Sequence, residues 1–501
     1  MDPDLQEHYV AFMSEYIRLG HMRPVSEQEM ENCPQRVNYI PHHAIWQRSD
    51  GGRRLRVVFN DSSPTSTGYS LNDALYPGPK LQNDIVSVLT RWRFYRVAFC
   101  ADIKMMFRQI QIRKEDVHLR VIWSQGENEP ETHYVLLTVT YVEASAPYLA
   151  LKTLTQLCED EGAAFPEAVD AVRRNLYVDD FLTGADDEDT ARKRRDQLVQ
   201  LLKAGGFVLK KWVSNTPSLL HDLKVEDLLR PSWLHFTMDD PVNELGTAWD
   251  PSADCFRFSP PAFNKSDTLT KRRVLAEAAR LFDPAGWLSP IIVVAKMLIQ
   301  DLWRAKLTRD EPLPASYAKR WESFRSKLSE VSLLTLTRWL QSSPASSIQL
   351  HAFADASRRA LATVIYIRVE QESGTVNVSL IGAKTKLSPI KSLVPLERQN
   401  TRMTIPRLEL RAALLAARLL RLVDASLTIL DCTYYLWSDS STVLSWLCSS
   451  EPVGNDLVDN YVHHIQELTA HGTWRYVPSS DNPADITTRG VEPSTLQHNT
   501  L

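Results

Sequence analysis

No C-x-x-C pair occurs in this 501-residue chain, and its six cysteines, Cys33, Cys100, Cys158, Cys255, Cys432 and Cys448, are widely scattered. That spacing excludes a dense disulfide framework and a paired-cysteine zinc site, and it predicts reduced core thiols. Long apolar runs are also missing. The most apolar segment, Ile291 to Ile299, is interrupted by Lys296, and no basic region followed by a long apolar stretch opens the chain between Met1 and Gly20. Neither a membrane span nor a secretory leader is therefore expected, and the expected setting is soluble and intracellular. Excess positive charge is absent too. At a formal net charge of −4 there is no global attraction to phosphates, so any nucleic-acid contact must rely on locally grouped Lys and Arg. Arg53, Arg54 and Arg56 form one such group; Arg192, Lys193, Arg194 and Arg195 form another, whose plainer reading is a solvated helix face. Low-complexity tracts are missing as well, and 44% hydrophobic with 24% charged residues is an ordinary globular composition. The length exceeds what one core organises, so roughly two to four domains are expected.

Strands and helices alternate. A helix is expected over His8 to Gly20, a strand over Arg54 to Phe59, and helical spacing at Leu81, Ile85, Val88 and Leu89 predicts a helix to Trp92. The apolar run Val97 to Ala101 ends on Asp102. Alternation at Gln109 to Arg113, Leu119 to Trp123 and Tyr134 to Val139 predicts a sheet, followed by helices over Tyr148 to Leu157 and Ala168 to Asn175. Leu176 to Thr183 reads as a hairpin turning on Asp179 and Asp180. Residues 214 to 345, rich in Pro and Trp, form a connecting region with helices over Lys271 to Phe282 and Ile291 to Leu307. After a Ser/Pro-rich linker, Gln341 to Ser347, the order becomes β-β-β-α-β-α-β, a separate α/β domain.

Folding alone does not ask for two acids in the turn of Leu176-Tyr177-Val178-Asp179-Asp180-Phe181-Leu182, where Asn-Gly or Asp-Gly is the stable choice. Adjacent carboxylates repel, a cost relieved by divalent cations held with a third acid. Asp102 is the candidate third acid, delivered from the end of a buried strand; taken alone it would be read as a cap. Such a triad suits two ions about 3.5 to 4 Å apart.

In these residues the chain resembles reverse transcriptases. Arg56-Val57-Val58-Phe59, Ser70-Leu71-Asn72, Gly78-Pro79, Asp102-Ile103 through Phe107-Arg108-Gln109-Ile110, and Ala144-Ser145-Ala146-Pro147-Tyr148-Leu149-Ala150 look like the BEL/Pao branch of the LTR retrotransposons. The resemblance spans nearly the whole chain, and its blocks stand in the expected order. It implies that Asp102, Asp179 and Asp180 hold catalytic Mg²⁺ (or Mn²⁺), that Phe107 is the gate against a ribose 2′-hydroxyl, and that Arg54 and Arg56 meet the incoming triphosphate. It places Tyr177 at the substrate and Lys210 or Lys211 as proton donor to pyrophosphate. One departure is Val142, where the family has a glycine that brings backbone close to the nascent base pair. Glu143 beside it would bring negative charge towards phosphates.

Four more acids occupy distinct contexts: Asp355 after a strand, Glu409 in the first turn after Pro406, Asp439 at a strand end, and Asp485. Each alone is an ordinary capping or surface acid. Together Phe353-Ala354-Asp355-Ala356-Ser357, Pro406-Arg407-Leu408-Glu409-Leu410, Trp437-Ser438-Asp439-Ser440 and Asn482-Pro483-Ala484-Asp485 resemble the acid set of retroelement ribonuclease H. That set implies two further ions acting on the RNA strand of a hybrid. Cellular ribonucleases H place a histidine in the loop before the last acid; Val477 to Asn482 has none. His463 and His464 point about 100° apart on a helix and read as surface residues.

The resemblance further implies a multidomain α/β and α+β chain. Its parts are right-hand fingers and palm over 1–213, thumb and connection over 214–345, a ribonuclease H-like domain over 346–490 and a tail over 491–501. Leu245-Gly246-Thr247-Ala248-Trp249 looks like the primer-gripping turn. Implied partners are RNA or DNA template-primer, RNA/DNA hybrid, deoxynucleoside triphosphates and other parts of a Pol polyprotein. The implied location is a cytoplasmic virus-like particle with nuclear entry. No Asp-Thr-Gly or Asp-Ser-Gly for an aspartic protease, no His-His-Cys-Cys zinc site and no integrase core occur, which suggests a polyprotein fragment or a shortened gene product. The rival reading is a decayed or domesticated relic that only binds nucleic acid; against it, all seven metal-ligand positions are filled.

Overall fold

Residues 3–31, 37–49, 52–126, 129–229, 234–236, 247–260, 263, 268–389, 404–427 and 432–497 are described by a computed structural model. Within them the chain builds five β-sheets. The N-terminal helix Pro3–Arg18 buries Tyr9, Met13 and Tyr16, spaced to lie on one face. That face packs on Val57, Phe59, Leu119 and Val121 of the strands Gly52–Phe59 and Leu119–Trp123. Gly52–Phe59 pairs antiparallel with His42–Ser49, and Leu119–Trp123 lies between Thr132–Leu136 and Asn38–Tyr39 in a separate sheet.

The central sheet has the order Leu209–Ser214, Val97–Ile103, Asp180–Ala185, Leu176–Tyr177, antiparallel throughout. Every residue of Val97–Ile103 is buried, so the strand reads as an unbroken apolar run, as a strand covered on both faces should. Phe99, Ala101 and Ile103 face a cluster with the helices Ala146–Asp160, Pro166–Asn175 and Glu188–Ala204. Ala98 and Cys100 face the other way, into a cluster with Trp92, Trp249, Phe256 and Trp287. The connecting region thus supplies the rear of this sheet. Trp92 meets Trp249 edge to face with centroids 4.7 Å apart, a favoured aromatic geometry. The buried Arg338 ties the two parts together through the carbonyls of Trp92 and Tyr95 and the Asp254 carboxylate. Arg93, also buried, donates to the carbonyls of Arg338, Thr337 and Leu380, the last in the C-terminal sheet.

The connecting region carries the sheet Leu234–Phe236, Thr247–Asp250, Cys255–Phe258, Thr335–Thr337 and the helices Lys271–Ala279, Ser289–Arg304 and Ala315–Lys327. Leu245 and Gly246 of the expected gripping turn lie outside the described residues. The last sheet orders Val376–Leu387, Ala360–Glu370, Ser347–Ala356, Cys432–Ser438 and Gly472–Tyr476, with parallel pairing on either side of Cys432–Ser438. The long helix Ile405–Ser426 covers one face through Leu408, Ala412, Ala416 and Leu420. Three helices extend the expected order: Asp456–Leu468 before the last strand, and Pro483–Arg489 and Pro493–Gln497 after it.

Several expectations need correcting. The helix expected from Leu81 begins at Ile85, because the Asp84 carboxylate caps the amides of Val86 and Ser87. Gln109 to Arg113 is not a strand; a 3₁₀ turn, Met106–Gln109, and a single bridge from Gln111 to Thr138 stand there. Cys448 is exposed rather than in a core, and Cys33 lies outside the described residues. The basic run of Glu188–Ala204 is a solvated face only at Lys193 and, in part, Arg192. Arg195 is buried against Asp222 and Asp196, and Arg194 pairs with Glu167 and Asp170, so those charges are spent on tertiary packing. His463 and His464 lie on the surface beside Glu467. Among the described residues no helix is long and apolar enough to cross a membrane.

Candidate carboxylate centres

The hairpin that carries the paired acids turns one residue earlier than expected, on Val178 and Asp179. Asp180 is already in the strand, opposite Tyr177 on one side and Asp102 on the other. Val178 holds φ at 55°, a conformation costly for a β-branched residue and found where surrounding structure over-determines it. Here the fixing contacts are the Gln82 side chain on the Val178 amide at 3.1 Å and the Ile103 amide on the Asp179 carbonyl at 2.8 Å. The turn presents Asp179, and the register places Asp180 directly across from Asp102, a like-charge pairing that destabilises a bare sheet.

Oxygens of Asp102, Asp179 and Asp180 lie within 4.8 Å of one another, the one such grouping of three metal-ligating side chains among the described residues. Three hard oxygen donors this close suit a divalent cation of the Mg²⁺ or Mn²⁺ kind. One compensating charge is built in. Lys211 donates to Asp102 Oδ2 at 2.7 Å, and its pKa is raised: burial alone would lower it, and the charges of Asp102, Asp180 and Asp179 outweigh that. Lys211 is aimed there by a bulge, since the pairing of Leu209–Ser214 with Val97–Ile103 slips between Lys210 and Val213 and Lys211 has φ 53°. Lys210 pairs instead with Asp227, so of the two candidate lysines the geometry brings only Lys211 to the acids.

The other expected substrate residues are placed less tightly. Phe107 lies in the 3₁₀ turn a few residues past Asp102, partly buried against the helix-covered core on the Phe99 face of the central sheet. Tyr177 is half-buried against the opposite core. Arg56 stands 5.0 Å over the Tyr141 ring, while the Arg54 side chain lies outside the described residues. Val142 turns its side chain onto the N-terminal core, which accommodates the Cβ that glycine would lack. Glu143 does not project a full charge; it is buried, and burial together with Asp61 raises its pKa to about 7.

The second set assembles at the C-terminal ends of two parallel strands. Asp355 is next to last in Ser347–Ala356, whose Ala354 pairs with Ser438, so Asp439 follows at the same level. Glu409 stands just past the first turn of Ile405–Ser426 rather than in it, because the helix already begins at Ile405, before Pro406. Asn482 fixes the fourth: its Nδ2 donates to the Ala354 carbonyl at 3.1 Å and its Oδ1 caps the Ala484 amide, starting the helix that bears Asp485. Burial raises the Asp355 pKa to about 6, with Asp439 and Asp485 adding to it, and burial followed by Asp439 raises Glu409. The four acids thus feel one another, though less closely than the first three. Asp439 Oδ1 is buried with no protein partner among the described residues, the kind of orphan a cation would satisfy.

Reading the sequence missed the groups that hold these acids. Thr488 donates to Asp355, Ser440 to Glu409 at 2.5 Å, Ser479 to Asp439 at 2.6 Å, and Arg489 pairs with Asp485 at 2.8 Å. Ser440 could have been found as the N-cap that follows Asp439; Ser479 is remote in sequence and gives no local signal.

Residues 270–440 match the Pao retrotransposon-like RNaseH-like domain. No curated protein sequence matches the chain. Among solved structures, the foamy viral protease-reverse transcriptase dRH in complex with double-stranded DNA aligns over 92% of this chain and 68% of its own, at 14% identity and a TM-score of 0.56. The foamy viral protease-reverse transcriptase in complex with RNA/DNA hybrid aligns over 95% of this chain and 54% of its own, at 13% identity and a TM-score of 0.57. At such identities the likeness is one of fold.

Proposed function

Taking this chain as a Pao-type retroelement Pol segment with reverse transcriptase and RNase H-like parts, we propose that it copies RNA into DNA at the first carboxylate set and cleaves the RNA of hybrids at the second. We assign it to the BEL/Pao branch, with fingers and palm over 1–213, thumb and connection over 214–345, ribonuclease H over 346–490 and a tail over 491–501. The observation that carries the reading is the meeting of Asp102, Asp179 and Asp180 across two paired strands, where folding stability would disfavour it.

Asp102, Asp179 and Asp180 would hold two Mg²⁺ (or Mn²⁺) ions, and Asp355, Glu409, Asp439 and Asp485 two more. Bound there, such ions supply Lewis-acid activation of a hydroxyl or water and neutralise the leaving oxygen. The protein's own groups do the rest. Lys211 sits where it can hold a proton for pyrophosphate, and Phe107 and Tyr177 shape the sugar and base site. Arg56, placed over the Tyr141 ring, and Arg54 would offer planar donors to the triphosphate. At the second centre the hydroxyls of Thr488, Ser440 and Ser479 orient three of the four carboxylates. Template-primer, hybrid and deoxynucleoside triphosphates are the partners this chemistry requires.

The test is primer extension on an RNA template beside cleavage of a labelled hybrid, with Mg²⁺. Asp179→Asn should abolish extension and spare cleavage; Asp439→Asn should do the reverse. If the unaltered chain does neither, it is a non-catalytic relic. If Asp439→Asn still cleaves, the second assignment is wrong.

A further inference from the structure

We propose that Asn72 is a positioning residue for nucleotide binding, fixing the Val142–Ala144 segment that the polymerase reading, on which this inference rests, places against the nascent base pair. Asn72 belongs to a short helix, Leu71–Ala74, closed at its start by a reciprocal capping box between Ser70 and Asp73. Its side chain spans two segments that are far apart in sequence. Nδ2 donates to the Val142 carbonyl at 3.1 Å and to the Ser62 hydroxyl at 2.9 Å, while Oδ1 accepts from the Ala144 amide at 2.8 Å. Its own amide donates to the Asp61 carbonyl at 3.1 Å.

Two donations and one acceptance by one neutral side chain require an amide; a hydroxyl has a single donor, a carboxylate none, and an aliphatic group neither donor nor acceptor. What the tie works against is visible beneath it. Asp61 is 1% exposed, and neither of its carboxylate oxygens has a hydrogen-bond partner among the described residues. Glu143, the middle residue of the tied segment, is 9% exposed and feels the Asp61 charge. A segment that carries one buried acid within reach of another's charge tends to lift away when both ionise. Asn72 grips it at the carbonyl before Glu143 and the amide after it. On the far side, Tyr141 is anchored through its hydroxyl to the Val57 carbonyl and carries Arg56 on its ring. The backbone of Val142 is therefore set from two directions, and Asn72 supplies the one that no part of the segment could supply itself.

Asn72 makes none of its bonds to the first carboxylate set, so its removal should weaken nucleotide binding without touching the chemical step. The experiment uses the full chain on an RNA template with a DNA primer, Mg²⁺ and the correct deoxynucleoside triphosphate, with Asn72→Leu and Asn72→Gln. For Asn72→Leu, KM for the nucleotide should rise about tenfold, as expected for losing about one net hydrogen bond's worth of order, with kcat within about twofold. Asn72→Gln keeps the amide and should recover part of the loss. Hybrid cleavage by the same preparations, and binding of the nucleotide to a complex with a chain-terminated primer, are measured alongside. An active parent with Asn72→Leu matching it in KM overturns the inference alone. Equal losses in extension and hybrid cleavage also overturn it, since they mark a general structural role. A parent that neither incorporates nor binds the nucleotide removes the polymerase reading and this inference with it. If Asn72→Leu does not fold, Asn72→Gln carries the test: a KM identical to the parent's with no change in nucleotide binding counts against positioning.

Discussion

Replacing Arg338 with Met should cost about 3 to 4 kcal/mol of the stability that joins the central sheet to the connecting region. The guanidinium makes five hydrogen bonds: to Asp254 Oδ1 and Oδ2 at 2.6 and 2.8 Å, to the Trp92 and Tyr95 carbonyls at 2.8 Å each, and to the Arg96 carbonyl at 3.3 Å. Met keeps the stem between Trp92 and Trp249 but leaves a carboxylate and three carbonyls in a site where Arg338 is fully buried. Breaking a buried pair from one side costs about 3 to 5 kcal/mol. The lower part of that range applies because the Asp254 side chain is 26% exposed and also accepts from Trp249 and Asn215. Urea unfolding followed by tryptophan fluorescence reads the transition directly, since Trp92 and Trp249 flank the substitution. It should be treated as the unfolding of this unit rather than of the whole chain. Adding Asp254→Asn should return part of the loss by removing the stranded charge. A cost below about 1 kcal/mol, or a double variant weaker than the sum of the two, would refute the reasoning.

Three other outcomes are expected. Burial raises the pKa of Asp61 to about 6 and, with Asp61 adding, that of Glu143 to about 7, both above the ordinary carboxylate value of about 4. The folded state therefore binds more protons than the unfolded one in that window, and stability contributed below pH about 4 is lost as pH rises through 6 to 7; Asp61→Asn should flatten this decline in denaturation curves taken from pH 5 to 8. Gly78→Ala should cost on the order of 2 kcal/mol or more in thermal unfolding. Gly78 has φ of 76°, and a Cβ there would stand 2.5 Å from the Tyr148 ring. Val142→Gly should fail to raise the rate of nucleotide incorporation, because the Val142 side chain is absorbed by the N-terminal core; a large gain in primer extension would mean that it obstructs the site.

Much of the first centre could be read in the sequence. A run buried on both faces that ends on Asp102, and two acids where a hairpin wants Asn-Gly, are local signals, and burial and pairing followed them. The turn was misplaced by one residue because Val178 at φ 55° contradicts its own preference, and only tertiary contacts from Gln82 and Ile103 hold it. Lys211 could not be chosen over Lys210 from spacing, since a bulge reverses which of two neighbours faces the acids. The long-range polar ties were equally invisible. Arg338 finds Trp92 across 246 positions, and Ser479 finds Asp439 across 40. The burial of Arg195 depends on Asp222, 27 positions on, so nothing in the basic run itself tells the buried Arg195 from the exposed Lys193.

The central sheet has only part of a rear wall of its own, Val88, Leu89 and Trp92 of the helix Ile85–Trp92. For the rest, Ala98, Cys100, Leu182 and Val213 lean on Trp249, Phe256, Trp287 and the helix Ser289–Arg304, all drawn from chain beyond the strand Leu209–Ser214. A cut after residue 213, natural as it looks along the sequence, would lay that apolar surface open to water and leave a sticky half-molecule. The smallest piece able to carry the first carboxylate set by itself must extend through Arg338, so the segments that would follow a primer away from the site are also part of what keeps the site standing.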